Sequence, residues 1–142
     1  MTIRGLLVRA LRVPSMRALR GATTVRCDEA GAIADAVIEL MAALCRENHL
    51  VDDEVISAIF TMTPDLRAAF PAETARRAGW SQVPLLCAIE IPVTGSLPRC
   101  LRVLLHVERH WNGTRPRHVY LREAVSLRPD LMQRDSTPAA SG

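Results

Sequence analysis

Arg102 sits inside the apolar run Cys100-Leu101-Arg102-Val103-Leu104-Leu105-His106-Val107. A strand's period of two puts Leu101, Val103, Leu105 and Val107 on one face, and Cys100, Arg102, Leu104 and His106 on the other. A guanidinium there, with no acid nearby in sequence, is costly to bury unless it meets an anion or a distant carboxylate. Glu90 stands near the end of a second apolar run, residues 83–91. Arg20 closes a first strand just before Gly21, and Arg128 precedes Pro129-Asp130. Each has a plain alternative reading, a distant ion pair for Arg102 and a solvated strand end for Glu90. Together, arginines and a glutamate at strand ends suit an anionic ligand carrying a hydroxyl group.

Composition removes other chemistries. The 18 basic residues are all arginine. A Schiff-base lysine, a pyridoxal lysine and a phosphate-loop lysine are therefore excluded. Arg4, Arg9 and Arg12 lie in residues 1–15 with no acid, which leaves 15 arginines against 15 acidic residues in the remainder. The folded part is neutral, unlike the basic face of a nucleic-acid binder. No apolar run approaches the roughly 18 residues of a membrane span. Cys27, Cys45, Cys87 and Cys100 form no C-x-x-C pair, and His49, His106, His110 and His118 do not cluster with them. No metal site is expected, and reduced thiols in a cytoplasmic protein are the default.

The elements that must position these residues read as follows. From Met16 to Val25 the chain reads as a strand running into a Gly-Ala-Thr-Thr loop. Asp28 is a good N-cap for a helix to about Asn48, with Ile33, Val37, Met41 and Leu44 forming one stripe. Residues 55–61 read as a strand. Thr63-Pro64-Asp65 reads as a helix start, with Thr63 capping a broken helical segment that Gly79 ends. Strands follow at 83–91 and 100–108, and a short one at 118–121. This is an α+β domain, a mixed sheet with one long helix and a short helical segment in the order β-α-β-α-β-β. It spans residues 16–131, with a basic arm at 1–15 and a polar tail at 132–142. One helix covers one face of the sheet, so the other needs a partner copy.

Six segments in order carry a resemblance. They are Arg20-Gly21-Ala22-Thr23-Thr24; Thr63-Pro64-Asp65-Leu66 followed by Phe70-Pro71-Ala72; Val83-Pro84 with Cys87 and Glu90; Thr94-Gly95 with Arg102; Arg117-His118-Val119-Tyr120-Leu121; and Leu127-Arg128-Pro129-Asp130-Leu131. They resemble the AroH class of monofunctional chorismate mutases over residues 16–131. The resemblance implies a homotrimeric pseudo-barrel with active sites between subunits, rearranging chorismate to prephenate in aromatic amino acid biosynthesis without a cofactor. It implies that Arg102 holds the ether oxygen and a carboxylate, that Arg20 binds a carboxylate, and that Glu90 with Cys87 addresses the ring hydroxyl. Tyr120 would contact the side-chain carboxylate. Phe70, Ala72 and Arg76 would close the cleft from the neighbouring subunit, Leu86, Ala88 and Ile89 would line it beside Cys87, and Leu127 and Arg128 would come from the C-terminal segment. A RidA-like trimeric imine deaminase and a non-catalytic trimeric metabolite-binding regulator are the alternatives.

Overall fold

The computed structural model describes residues 13–132; the basic arm, up to residue 12, and the tail beyond residue 132 lie outside the described residues. Strand β1 (Ser15–Thr24) leads to helix α1 (Ala30–Asn48), β2 (Val55–Met62), the short helix α2 (Pro71–Arg77), β3 (Leu85–Ile89), β4 (Cys100–Arg109) and β5 (Val119–Tyr120). A 3₁₀ segment (Arg122–Leu127) and the short helix α3 (Pro129–Met132) follow. The five strands form one mixed sheet in the order β3-β2-β4-β1-β5. The domain is α+β, as its pattern predicts. Among the described residues, no helix is long and apolar enough to cross a membrane.

The long helix covers one face of the sheet. Its Ile33, Val37, Leu40, Met41 and Leu44 are buried with Leu19, Phe60 and Leu101, Val103, Leu105 and Val107 of the sheet. Recurrence at three and four residues gives α1 this single apolar side, and β4 supplies its alternate residues to it. Close approach of helix to sheet requires a glycine at position 21. A Cβ there would stand 2.9 Å from Leu44 Cδ1, 3.0 Å from Val103 Cγ1 and 3.1 Å from Leu40 Cδ1. All three side chains are buried in a dense core, so Gly21→Ala is expected to destabilise by about 1–3 kcal/mol. A urea melt checks this, and an unchanged midpoint would show that α1 can yield.

Two expected caps are used otherwise. The N-cap of α1 is Glu29, without a side-chain hydrogen bond. Asp28 instead accepts the backbone N–H groups of Arg67 and Ala68, at 2.8 and 2.9 Å, and so pins the loop after β2. Thr63 does not cap a helix, because the helix begins at Pro71. Its hydroxyl donates to Asp65 and accepts the N–H of Cys100 at 2.9 Å, while Asp65 accepts the N–H of Arg99 at 2.8 Å. Although burial opposes it, these bonds hold the Asp65 carboxyl below the usual carboxylate range. The Thr-Pro-Asp motif therefore fixes where β4 starts.

At the other end of the domain, Asn48 clamps the approach to β5. Its side-chain amide donates to Leu44 O and Arg117 O at 3.0 and 2.9 Å, and its Oδ1 accepts the Arg117 N–H at 2.8 Å. The last turn of α1 thus positions the chain that carries His118 and Tyr120.

Candidate active site

The face of the sheet away from α1 gathers Arg20, Arg102 and Tyr120. Pairing of β1 with β4 sets Ala22 opposite Arg102, and pairing of β2 with β4 sets Thr61 opposite Arg102 on the other side. Parallel pairing of β5 places Tyr120 beside Ala22. A cavity of about 240 Å³ opens on this face, lined by Arg20, Thr61, Arg102, Tyr120 and the apolar Ala22, Ile59 and Leu104 among others.

Glu90 follows β3 directly, and its N–H still donates to Met62 O at 2.9 Å. This extra rung directs its carboxylate to the face of Arg102. Thr61 Oγ1 donates to Glu90 Oε1 at 2.5 Å, and the same oxygen lies 2.8 Å from Arg102 Nε. The Glu90 side chain is 13% exposed and that of Arg102 36%. The distant carboxylate that the strand pattern left open is thus Glu90 itself. The contact is an ion pair without hydrogen-bond alignment, since Arg102 Nε has no hydrogen-bond partner. Beside them, burial pushes the Cys100 thiol up, so it is a neutral wall.

Among the described residues, two buried side-chain polar atoms lack a hydrogen bond, Arg102 Nε and Tyr120 Oη. Both belong to the lining of this cavity. Buried polar atoms in native proteins are almost always satisfied; here Arg102 Nε has the Glu90 carboxylate 2.8 Å away, and Tyr120 Oη stands near Arg128. Two guanidinium groups and a phenol ask for a ligand rich in acceptors and negative charge.

The remaining candidates fall elsewhere. Phe70, Cys87, Ala88 and Ile89 line a second cavity of about 670 Å³, with Met62, Leu66 and residues of α1 and α2. Cys87 is in register with Phe60, a core residue, and shares its face. Strand β3 ends before Glu90 without turning it back, so one chain does not bring Cys87 and Glu90 together. Leu86 is exposed on the Arg102 side of β3. Ala72 is buried in the first turn of α2, and Arg76 is exposed on that helix. Leu127 closes the 3₁₀ segment, and Arg128 follows it in a two-pronged pair with Asp130, at 2.9 and 2.8 Å. That carboxylate, with Tyr120 nearby, raises the Arg128 pKa further above its already high value.

The matches to known proteins decide the family. A model of the family described as chorismate mutase type I matches residues 16–131. The chorismate mutase AroH of Thermus thermophilus is 50% identical over 117 residues, 82% of this chain and 96% of that protein. The AroH of Bacillus subtilis is 41% identical over 117 residues, 82% of this chain and 92% of that one. The chain belongs to the type I chorismate mutase family. A solved chorismate mutase from Clostridium thermocellum superposes with a TM-score of 0.74 at 44% identity, covering 78% of this chain and 98% of that one. As a chorismate mutase the protein is an isomerase, and neither the imine deaminase nor the regulator reading is favoured.

Two residues that hold the groups around this cavity escape a reading of the sequence for chemistry. Thr61 holds the Glu90 carboxylate, and nothing marks it until β2 is set beside β4. His118 accepts the backbone N–H of Arg20 on Nδ1 at 3.0 Å. It lies in a segment that carries the resemblance, but its partner is 98 positions away in sequence.

Proposed function

We propose that the chain rearranges chorismate to prephenate at clefts shared between the copies of a homotrimer, in the cytoplasm. The observation that carries the site assignment is the convergence of Arg20, Arg102 and Tyr120 on one cavity, with the Glu90 carboxylate held 2.8 Å from Arg102. Chorismate is a dianion with an ether oxygen and a ring hydroxyl, so it supplies acceptors for each donor. The rearrangement breaks one C–O bond as one C–C bond forms. It needs no nucleophile and no net proton transfer. The protein holds the flexible dianion in a chair-like reactive shape. It also stabilises the negative charge that builds on the ether oxygen as the C–O bond stretches. Arg102 serves the ether oxygen, Arg20 and Tyr120 take carboxylates, and Glu90 accepts from the ring hydroxyl.

Assembly supplies the rest. The edge strand β3 and the loop after it are apolar and open, with Ile89 and Ile91 77% and 80% exposed. Exposed apolar edges of this kind are covered in native proteins. In the proposed ring this edge meets the Arg102 face of the next copy and brings Cys87, Ala88 and Ile89 toward that copy's Arg102. Phe70, Ala72 and Arg76 border the same edge from α2, and Leu127 and Arg128 close the cleft. The four free cysteines support the cytoplasmic reading.

The test is direct. Purified protein mixed with chorismate is expected to consume its absorbance with prephenate as the product, and no loss over buffer overturns the reading. Light scattering at micromolar concentration is expected to give the mass of three copies. A monomer mass across that range sinks the shared cleft.

A further inference from the structure

We propose that His118 is a positioning residue, whose neutral imidazole holds the backbone of Arg20 so that the Arg20 guanidinium stands at the cavity wall. This inference rests on the reaction proposed above and adds a residue to it. The β1–β5 ladder is only two rungs long, Gly21 beside Val119 and Ala22 beside Tyr120. One position upstream, the Arg20 N–H has no backbone partner on β5, and His118 Nδ1 takes its place at 3.0 Å. The side chain extends the ladder by the one rung that fixes Arg20. His118 is itself held from behind, because the adjacent Arg117 backbone is clamped by Asn48.

A backbone N–H only donates, so Nδ1 must be unprotonated. The surroundings enforce this. Partial burial lowers the imidazole pKa first, and then the charges of Arg20 on β1 and Arg128 beyond the 3₁₀ segment lower it further. Arg128 is paired with Asp130, at 2.9 and 2.8 Å, and Arg117, at 3.8 Å, with Glu47 of α1. No carboxylate contacts the ring among the described residues to favour its charged form. Protonation would set an N–H against an N–H and push β1 away from β5 at Arg20.

Two readouts test this. Selective ¹⁵N labelling of histidine in the free protein is expected to show His118 with Nδ1 unprotonated at pH 7. A protonated Nδ1 there overturns the proposal whatever the enzyme turns over. In kinetics, His118→Leu is expected to raise KM for chorismate about tenfold, as the loss of one hydrogen bond does, with little change in kcat. Asparagine places its Oδ1 near the position of Nδ1 and does not titrate, so His118→Asn should recover most of that loss. The wild type should also show KM rising as the pH falls below the ordinary imidazole range, and His118→Asn should not. A folded His118→Leu with the wild-type KM, or an acid rise in KM that survives in His118→Asn, overturns the assignment. If the wild type turns over no chorismate, the reaction itself has failed, and the labelling experiment still decides the role of His118.

Discussion

Arg102→Ala is expected to fold and assemble normally yet turn over chorismate roughly 100- to 1,000-fold more slowly, a loss of about 3–4 kcal/mol. The reason is timing. Charge on the ether oxygen appears only as the C–O bond breaks, so a donor aimed at it acts on the transition state. The deficit should fall on kcat, with KM changing less. Arg102 lies on the open face of β4, away from the core that Val103 and Leu105 share with α1, so stability should survive. Arg102→Lys should recover little. Lysine keeps the charge but has no planar fork, and its single ammonium cannot meet Glu90 through one edge and the ligand through another. Single-turnover rates and melting curves on both variants settle the point. A normal turnover number in a folded Arg102→Ala protein would falsify the mechanism.

Loss of Glu90 should be almost as damaging, for two compounding reasons. Its carboxylate is the proposed acceptor for the ring hydroxyl, and it is also the group that Arg102 rests against at 2.8 Å. Glu90→Ala leaves Thr61 Oγ1 and the substrate hydroxyl without an acceptor and removes the anion beside the guanidinium. An unsatisfied buried partner costs about 1–3 kcal/mol, so kcat/KM should drop by at least roughly tenfold. Glu90→Gln keeps the shape and one acceptor for Thr61, so it should be the milder of the two. Steady-state kinetics on the pair measure this. Wild-type rates in Glu90→Ala would show the carboxylate to be a structural strand end.

The sequence makes the strands legible because their alternation is strong. Leu101, Val103, Leu105 and Val107, which a period of two selects, are buried on β4, with Cys100 of the other face buried at its start, and α1 follows from one apolar stripe. What the pattern cannot reach is register. The partner of Arg102 is 12 positions away, just past the end of β3, and only the pairing of β2 with both β3 and β4 brings Glu90, Thr61 and Arg102 to one point. The caps fail for a related reason. Asp28 and Thr63 have the right chemistry for helix starts, but tertiary donors from residues 67, 68 and 100 compete for their oxygens and win. Roles that come from the resemblance are unevenly supported by position. Arg20, Arg102 and Tyr120 converge on one cavity, whereas Phe70, Cys87, Ala88 and Ile89 line another.

That division has a genetic consequence. Cys87 shares a face with Phe60, while Glu90 shares a face with Thr61 and Arg102, so the two groups of residues point away from each other within one polypeptide. In the proposed ring, each cleft therefore joins one allele's Arg102 face to the next allele's β3 edge. Two inactive alleles, one defective only in the face and one only in the edge, should complement each other when co-expressed. Every mixed ring then contains a single cleft in which both contributions are intact.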